Sequence, residues 1–126
     1  MKKIRYGTSG NPPNFFKSKY GKKRINAVDW INDIGLNAYE YLMTYGARTR
    51  PEVAKEVGER AKKLGIQLSV HAPYYIVFTS EKEGTFENSV NEMVKTLKLA
   101  EIMGADRIVF HPGYHNTQNP LDKIVK

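Results

Sequence analysis

The sequence predicts an α/β fold in which short buried strands alternate with amphipathic helices around one parallel sheet. At Gly35, Gly65 and Gly104 a helical pattern ends at a glycine, and an apolar strand begins almost at once. Glycine just past a helix end is a common left-handed cap. A βα unit that recurs every ~30 to 40 residues is typical of right-handed crossovers between parallel strands.

The first unit is expected to begin with a strand at residues 4–7 and to continue into a helix capped by Asn26. That helix is expected to carry Trp30, Ile31 and Ile34. Three further strands are predicted where short apolar runs follow the glycines, at residues 37–42, 67–71 and 107–111.

Two longer helices connect the later strands. One opens at residues 49–52 with a capping-box spacing and an early proline, and its predicted buried face is Val53, Ala54, Val57, Ala61 and Leu64. The other ends at Gly104, and its predicted buried face is Val90, Met93, Val94, Leu97 and Ala100.

The last residues indicate the start of a fourth helix. Asn119 and Pro120 are typical of a helix start, and apolar Leu121, Ile124 and Val125 follow. The expectation is therefore a chain truncated early in this helix, with residues 1–126 as the N-terminal half of a single (β/α)8 barrel domain, whose usual size is ~250 residues. Such a half would expose two strand edges and an apolar sheet face that a second half, or a homodimer, must cover.

Composition narrows the class of protein. An apolar share of 40% with 26% charged residues is typical of a globular domain. The sequence has no cysteine, which excludes disulfides and thiolate metal sites and leaves nitrogen and oxygen ligands. A net charge of +7 favours an anionic partner such as nucleic acid or a phosphorylated metabolite, although a lysine-rich soluble surface gives the same balance. No signal sequence or membrane span is recognisable, so a cytoplasmic protein is expected.

Two histidines stand where chemistry is usually placed in this class of fold. His71 closes the third predicted strand, His111 closes the fourth, and a proline-containing turn follows each. A lone strand-end histidine is usually a hydrogen-bonded structural residue, but two in equivalent positions on neighbouring strands favour a shared metal ion. Neutral imidazole suits zinc.

Cationic and aromatic side chains occupy the loops that follow the strands. The loop at residues 14–24 and the loop at residues 45–50, which contains Arg48, interleave both types. Tyr74 and Tyr75 begin the loop after the third strand, and His115 follows the fourth. Such loops can neutralise phosphates and stack on bases, whereas the alternative is an ordinary solvated surface.

The motifs His-Ala-Pro-Tyr at 71–74 and Phe-His-Pro-Gly at 110–113 resemble the endonuclease IV family of zinc-dependent AP endonucleases, within the wider group of xylose-isomerase-like barrels. The resemblance extends over the whole chain, including Gly7 and the stretch at 44–48. It implies cleavage of duplex DNA 5′ to abasic sites in base excision repair, with up to three Zn²⁺ ions in the complete barrel.

By that likeness His71 and His111 would bind the same zinc ion, which a glutamate on a fifth strand would complete. Arg48, Tyr74 and Tyr75 would contact DNA at the lesion, with His115 as an additional DNA contact. The resemblance gives this half no catalytic residue beyond the metal ligands and at most one partly liganded ion. The chain by itself is therefore expected to be inactive.

Two other functions stay open. One is a sugar isomerase or epimerase on the same type of barrel, which also places histidines and carboxylates at strand ends but needs no loops that face DNA. The other is a non-enzymatic half-barrel that forms a homodimer.

Overall fold

The computed structural model describes residues 3–114 and residue 121. Four strands form one sheet in the order β1-β2-β3-β4, and every neighbouring pair is parallel. The strands are β1 (Gly7–Ser9), β2 (Ala38–Leu42), β3 (Gln67–His71) and β4 (Ile108–Val109). The helices are α1 (Pro13–Lys17), α2 (Ala27–Asp33), α3 (Pro51–Leu64) and α4 (Thr85–Met103), with a 3₁₀ turn at Arg24–Asn26.

This architecture confirms the predicted α/β fold. The strands follow one another across the sheet in chain order, and the helices between them pack on their neighbours, α2 on α3 and α3 on α4, as in half of a (β/α)8 barrel. The helix ends also follow the prediction, because Gly65 and Gly104 both adopt the left-handed conformation just past α3 and α4.

The core lies between the sheet and the helices. Strand residues alternate, so that Tyr39 and Tyr41 on β2 and Leu68 and Val70 on β3 are buried against the helical layer. The face predicted for α3 is confirmed in full, with Ala54, Val57 and Ala61 buried and Val53 and Leu64 partly buried.

The first strand lies later in the chain than predicted. Residues 4–7 were expected because they include Ile4 and Tyr6, but both side chains are mostly exposed, and pairing with β2 runs over Gly7–Ser9. A side chain at position 7 would collide with the backbone carbonyl group of Ala38, so the strands approach where the sequence carries glycine.

Helix α4 buries a different face from the predicted one. Val90, Val94 and Leu97 are 38–50% exposed, and the buried side chains are Ser89, Thr96, Leu99, Ala100 and Met103. The hydroxyls of Ser89 and Thr96 donate to the carbonyls of Thr85 and Glu92, one turn earlier, so they can be buried without an unpaired donor. The prediction from hydrophobicity alone was therefore wrong for this helix. The predicted face and the observed face share only Ala100 and the partly buried Met93.

Two helix starts are also built differently from the prediction. Asn26 precedes α2 as expected, but its side chain donates to the carbonyl of Tyr20 instead of capping the helix. Arg50, not Thr49, precedes α3, and the Thr49 hydroxyl lies 3.1 Å from that of Tyr41. Pro51 does occupy the first turn, as predicted.

The sheet face away from the helices is largely polar, although Leu42 and Val109 also lie on it, which corrects the expectation of an apolar face. Ser9, Glu40, Ser69 and His71 lie on it, and the Ser9 hydroxyl donates to the Glu40 carboxylate at 2.5 Å. A longer run of exposed apolar side chains lies along α4, at Phe86, Val90, Val94 and Leu97. In the part of the chain that the structure describes, no helix is both long and apolar enough to cross a membrane.

Candidate metal centre and its rim

The two candidate ligands lie side by side at the carboxyl edge of the sheet. His71 ends β3 and pairs in register with Val109 of β4, and His111 follows two residues later on the same face. The imidazole centroids are 5.2 Å apart, with the rings tilted by 42°. Tertiary structure thus brings together two side chains that are 40 positions apart in the sequence.

The hydrogen bonding of His71 leaves one ring nitrogen available to a cation. Its Nδ1 lies 2.8 Å from the Ala72 carbonyl oxygen, which can only accept, so Nδ1 carries the proton and donates. In the neutral ring Nε2 then keeps its lone pair, and this arrangement is common for metal-binding histidines. His111 is exposed beside it. Across the described residues, no cluster of three or more metal-ligand side chains forms, so this pair offers two nitrogens.

A buried threonine holds the loop that carries His111. The Thr79 hydroxyl donates to the Tyr114 carbonyl at 2.9 Å and accepts from the Tyr114 N–H at 3.0 Å. Gly113 has φ +141°, and a side chain there would collide with Thr79. The loop after β3 thereby fixes the turn after β4. Gly113 belongs to the motif at 110–113 that the sequence analysis noted, but Thr79 was missed, because a loop threonine carries no signal of burial.

Aromatic rings form a row in the loops that follow β2 and β3. Tyr45, from the loop after β2, packs edge-on against Tyr74 at 6.4 Å, and Tyr74 packs against Tyr75 at 5.8 Å. Tyr45 and Tyr74 are more than half exposed. Arg48 is exposed in the same loop as Tyr45. We call Tyr45, Arg48, Tyr74 and Tyr75 the rim. His115, which was predicted to contact DNA, lies outside the described residues.

Glu92 of α4 joins the two loops of the rim. Its carboxylate accepts the Ala47 N–H at 3.2 Å and the hydroxyl hydrogen of Tyr75, while Lys95 donates to its other oxygen at 3.0 Å. The phenol of Tyr75 is therefore occupied, in contrast to the ring of Tyr74. Sequence reasoning missed Glu92 because a helical glutamate three residues before a lysine resembles an ordinary surface pair.

We expect Glu92→Gln to destabilise the folded chain by about 1 kcal/mol at neutral pH, the usual net value of a partly exposed hydrogen-bonded charge. Partial burial raises the pKa of Glu92, but hydrogen bonds from Lys95, Ala47 and Tyr75 outweigh it and hold the pKa below its ordinary value. A carboxyl group whose pKa is lower in the folded chain than in the unfolded chain stabilises the fold at pH values above the unfolded pKa. This stabilisation is lost as the pH falls through the pKa of the folded chain.

Urea unfolding of both forms across this pH range checks the prediction, because the stability difference should shrink as the pH falls. Glu101→Gln, an exposed carboxylate on the same helix, is the matched control and should change little. A difference that is independent of pH would contradict the assignment of the loop contacts to the charged form.

Comparison with known proteins identifies related sequences. Residues 28–125 match the family described as xylose isomerase-like TIM barrel. An uncharacterized protein of Methanocaldococcus jannaschii is 32% identical over 94% of this chain and 45% of its own length. A probable endonuclease 4 of Halalkalibacterium halodurans is 32% identical over 78% of this chain and 36% of its own length.

Solved structures share the fold. Endonuclease IV from Thermus thermophilus superposes with a TM-score of 0.64 and 23% identity, over 97% of this chain and 45% of that one. A D-psicose 3-epimerase superposes with a TM-score of 0.66 and 13% identity, over 91% of this chain and 40% of that one. The chain spans less than half the length of the curated relatives it matches.

Proposed function

Because this chain belongs to the xylose isomerase-like TIM barrel family, we propose that it supplies the first four βα units of an endonuclease IV-like enzyme, which cleaves DNA 5′ to abasic sites. The observation that carries the proposal is the placement of His71 and His111 beside the rim. Relatives named probable endonuclease 4 support it, since they match this chain at 32–46% identity.

The histidine pair fits part of a zinc site. In the neutral ring, His71 Nε2 keeps its lone pair because Nδ1 donates to Ala72, and the centroid of the exposed His111 ring lies 5.2 Å away. We assign one ion at most to these residues, held by two nitrogens. Zinc in such a position supplies Lewis acidity to a phosphodiester under attack. The role of the protein in this half is to hold the two imidazoles in place, through Ala72 and through the Thr79 tether.

The rim is suited to DNA that lacks a base. Tyr74 is 55% exposed and can stack in the gap, whereas the Tyr75 hydroxyl is held by Glu92. We therefore assign insertion at the lesion to Tyr74 and support of Tyr74 to Tyr75, with Arg48 beside them on the phosphate backbone. Bending and opening a duplex costs less free energy at an abasic site than at a paired base. His115 remains a predicted DNA contact.

A sugar isomerase or epimerase is the second candidate, but no specific feature of the described residues favours it. The match to D-psicose 3-epimerase concerns the fold alone, and the same fold hosts several chemistries. Sugar recognition gives no reason for three exposed tyrosines and an arginine in the loops after β2 and β3.

We also propose that further βα units pack where this chain leaves apolar surface. In a barrel each helix is flanked by the helix of the next unit, and the exposed stripe Phe86, Val90, Val94 and Leu97 of α4 has the spacing of such a contact. A second copy of this chain is the alternative occupant.

We expect the chain to bind a duplex with one tetrahydrofuran abasic analogue at least tenfold more tightly than the same duplex without it, because opening an intact pair costs a few kcal/mol. Fluorescence anisotropy at one fixed salt concentration measures both affinities. Tyr74→Ala should reduce the preference, and Tyr6→Ala, which removes a similarly exposed ring far from the rim, should not.

The same samples should show no strand cleavage with Zn²⁺, because the described residues bring only two metal ligands together. Equal affinity for both duplexes would contradict the proposed function. Clear cleavage by the chain alone would contradict the proposal that this chain holds only part of the metal site.

A further inference from the structure

A cavity of about 290 Å³ opens beside the rim, at the carboxyl end of β2. Two arginines, Arg24 and Arg48, line it together with Thr44, Tyr45 and Thr49. None of the described residues that line it is acidic. A concave surface with two guanidinium groups, hydroxyl groups and no carboxylate is suited to an anion.

Arg24 is held in place before any ligand arrives. One guanidinium nitrogen donates to the Leu42 carbonyl at 2.5 Å, and the guanidinium carbon lies 5.0 Å from the centre of the Tyr41 ring. A guanidinium group has five N–H donors, so the bond to Leu42 leaves others for a ligand. Because the side chain is already ordered, binding costs little additional conformational entropy.

Arg48 approaches the cavity from a constrained turn. Its N–H donates to the Gly46 carbonyl at 2.8 Å, and Gly46 has φ +114°, which favours glycine. The neighbouring N–H, that of Ala47, is bound by Glu92. The backbone that positions Arg48 is therefore fixed from α4, although the side chain itself is exposed.

We infer that the cavity between Arg24 and Arg48 binds a phosphate group, which in the proposed DNA complex is a backbone phosphate of the duplex. The assignment of that phosphate to DNA rests on the proposed function. Arginine pairs bind phosphate oxygens through parallel N–H bonds, and a backbone contact of this kind positions the duplex without reading its sequence. Within the loop after β1, which the sequence marked only as a whole, Arg24 is thereby the residue that binds the phosphate.

The salt dependence of DNA binding tests the inference. Each neutralised phosphate contributes about 0.9 to the slope of log affinity against log salt concentration. We expect Arg24→Gln to reduce this slope by about one on abasic and intact duplexes alike, and to leave the preference for the abasic duplex unchanged. Arg107→Gln removes the same charge at the amino end of β4 and should leave the slope unaltered. Equal effects of the two replacements would overturn the site.

A second measurement does not depend on DNA. Inorganic phosphate, titrated into the chain, should produce saturable amide NMR shifts at residues 44–49, and Arg24→Gln should abolish them. Arg24→Lys keeps the charge and should weaken the shifts without removing them, because lysine lacks the planar fork. If phosphate binds in this way but no duplex does, the site stands and the proposed function fails. If phosphate produces no shifts there, the site itself is refuted.

Discussion

Replacing Phe15 by alanine is expected to destabilise the chain by about 3–5 kcal/mol, the usual cost of emptying an aromatic site in a core. Phe15 lies in the short helix α1 and is completely buried, and its ring packs edge-on against Trp30 at 5.8 Å. A loss of that size is a large part of the ~5–15 kcal/mol that stabilises a typical domain.

Urea unfolding measures the effect, and the chain supplies its own control. Phe16 is the next residue in the same helix but is 60% exposed, so Phe16→Ala should cost much less. Equal losses for the two replacements would mean that α1 is not part of the core.

Helix α1 also shows what the sequence could not predict. The stretch at residues 14–24 interleaves cations with aromatic rings, and the sequence left two interpretations open, a loop that binds phosphates and bases or an ordinary solvated surface. The structure corrects both for Phe15, whose side chain is buried in the core, while Arg24 at the other end lines the cationic cavity beside the rim. A helix of five residues is too short for the helical period to be recognised in the sequence.

Features determined by neighbours in the sequence were predictable. The left-handed caps at Gly65 and Gly104, the bounds of β3 and the buried face of α3 depend on local backbone preference and on one hydrophobic period. The face of α4 was not predictable in this way, because the buried hydroxyls of Ser89 and Thr96 satisfy themselves within the helix.

The residues of the candidate site also differ in whether the local sequence could identify them. His71 and His111 could be singled out because each ends a strand, and parallel strands bring such ends together. Thr79 and Glu92, which hold the loops of the site, act over 35 and 45 positions in the sequence. Such contacts leave no local pattern, so only the tertiary structure identifies these residues.

Replacing either His71 or His111 by alanine is expected to remove the effect of Zn²⁺ on DNA binding. The two imidazoles are adjacent, and one nitrogen alone is a poor ligand set for an ion that prefers four. Because ligands of one ion act as a unit, the double replacement should be no more damaging than either single one. Tyr74→Ala, by contrast, should weaken binding of the abasic duplex both with and without zinc.

The most direct measurement is the affinity of the chain for a duplex with one abasic analogue, in the presence and absence of Zn²⁺. If the histidine pair and the rim form one site, metal and lesion are coupled, and each strengthens the binding of the other. We predict that Zn²⁺ tightens binding of the abasic duplex, leaves the intact duplex unaffected, and loses this effect in His71→Ala and His111→Ala. An abasic affinity that is the same with and without Zn²⁺, or a zinc effect that survives both replacements, would contradict a shared site.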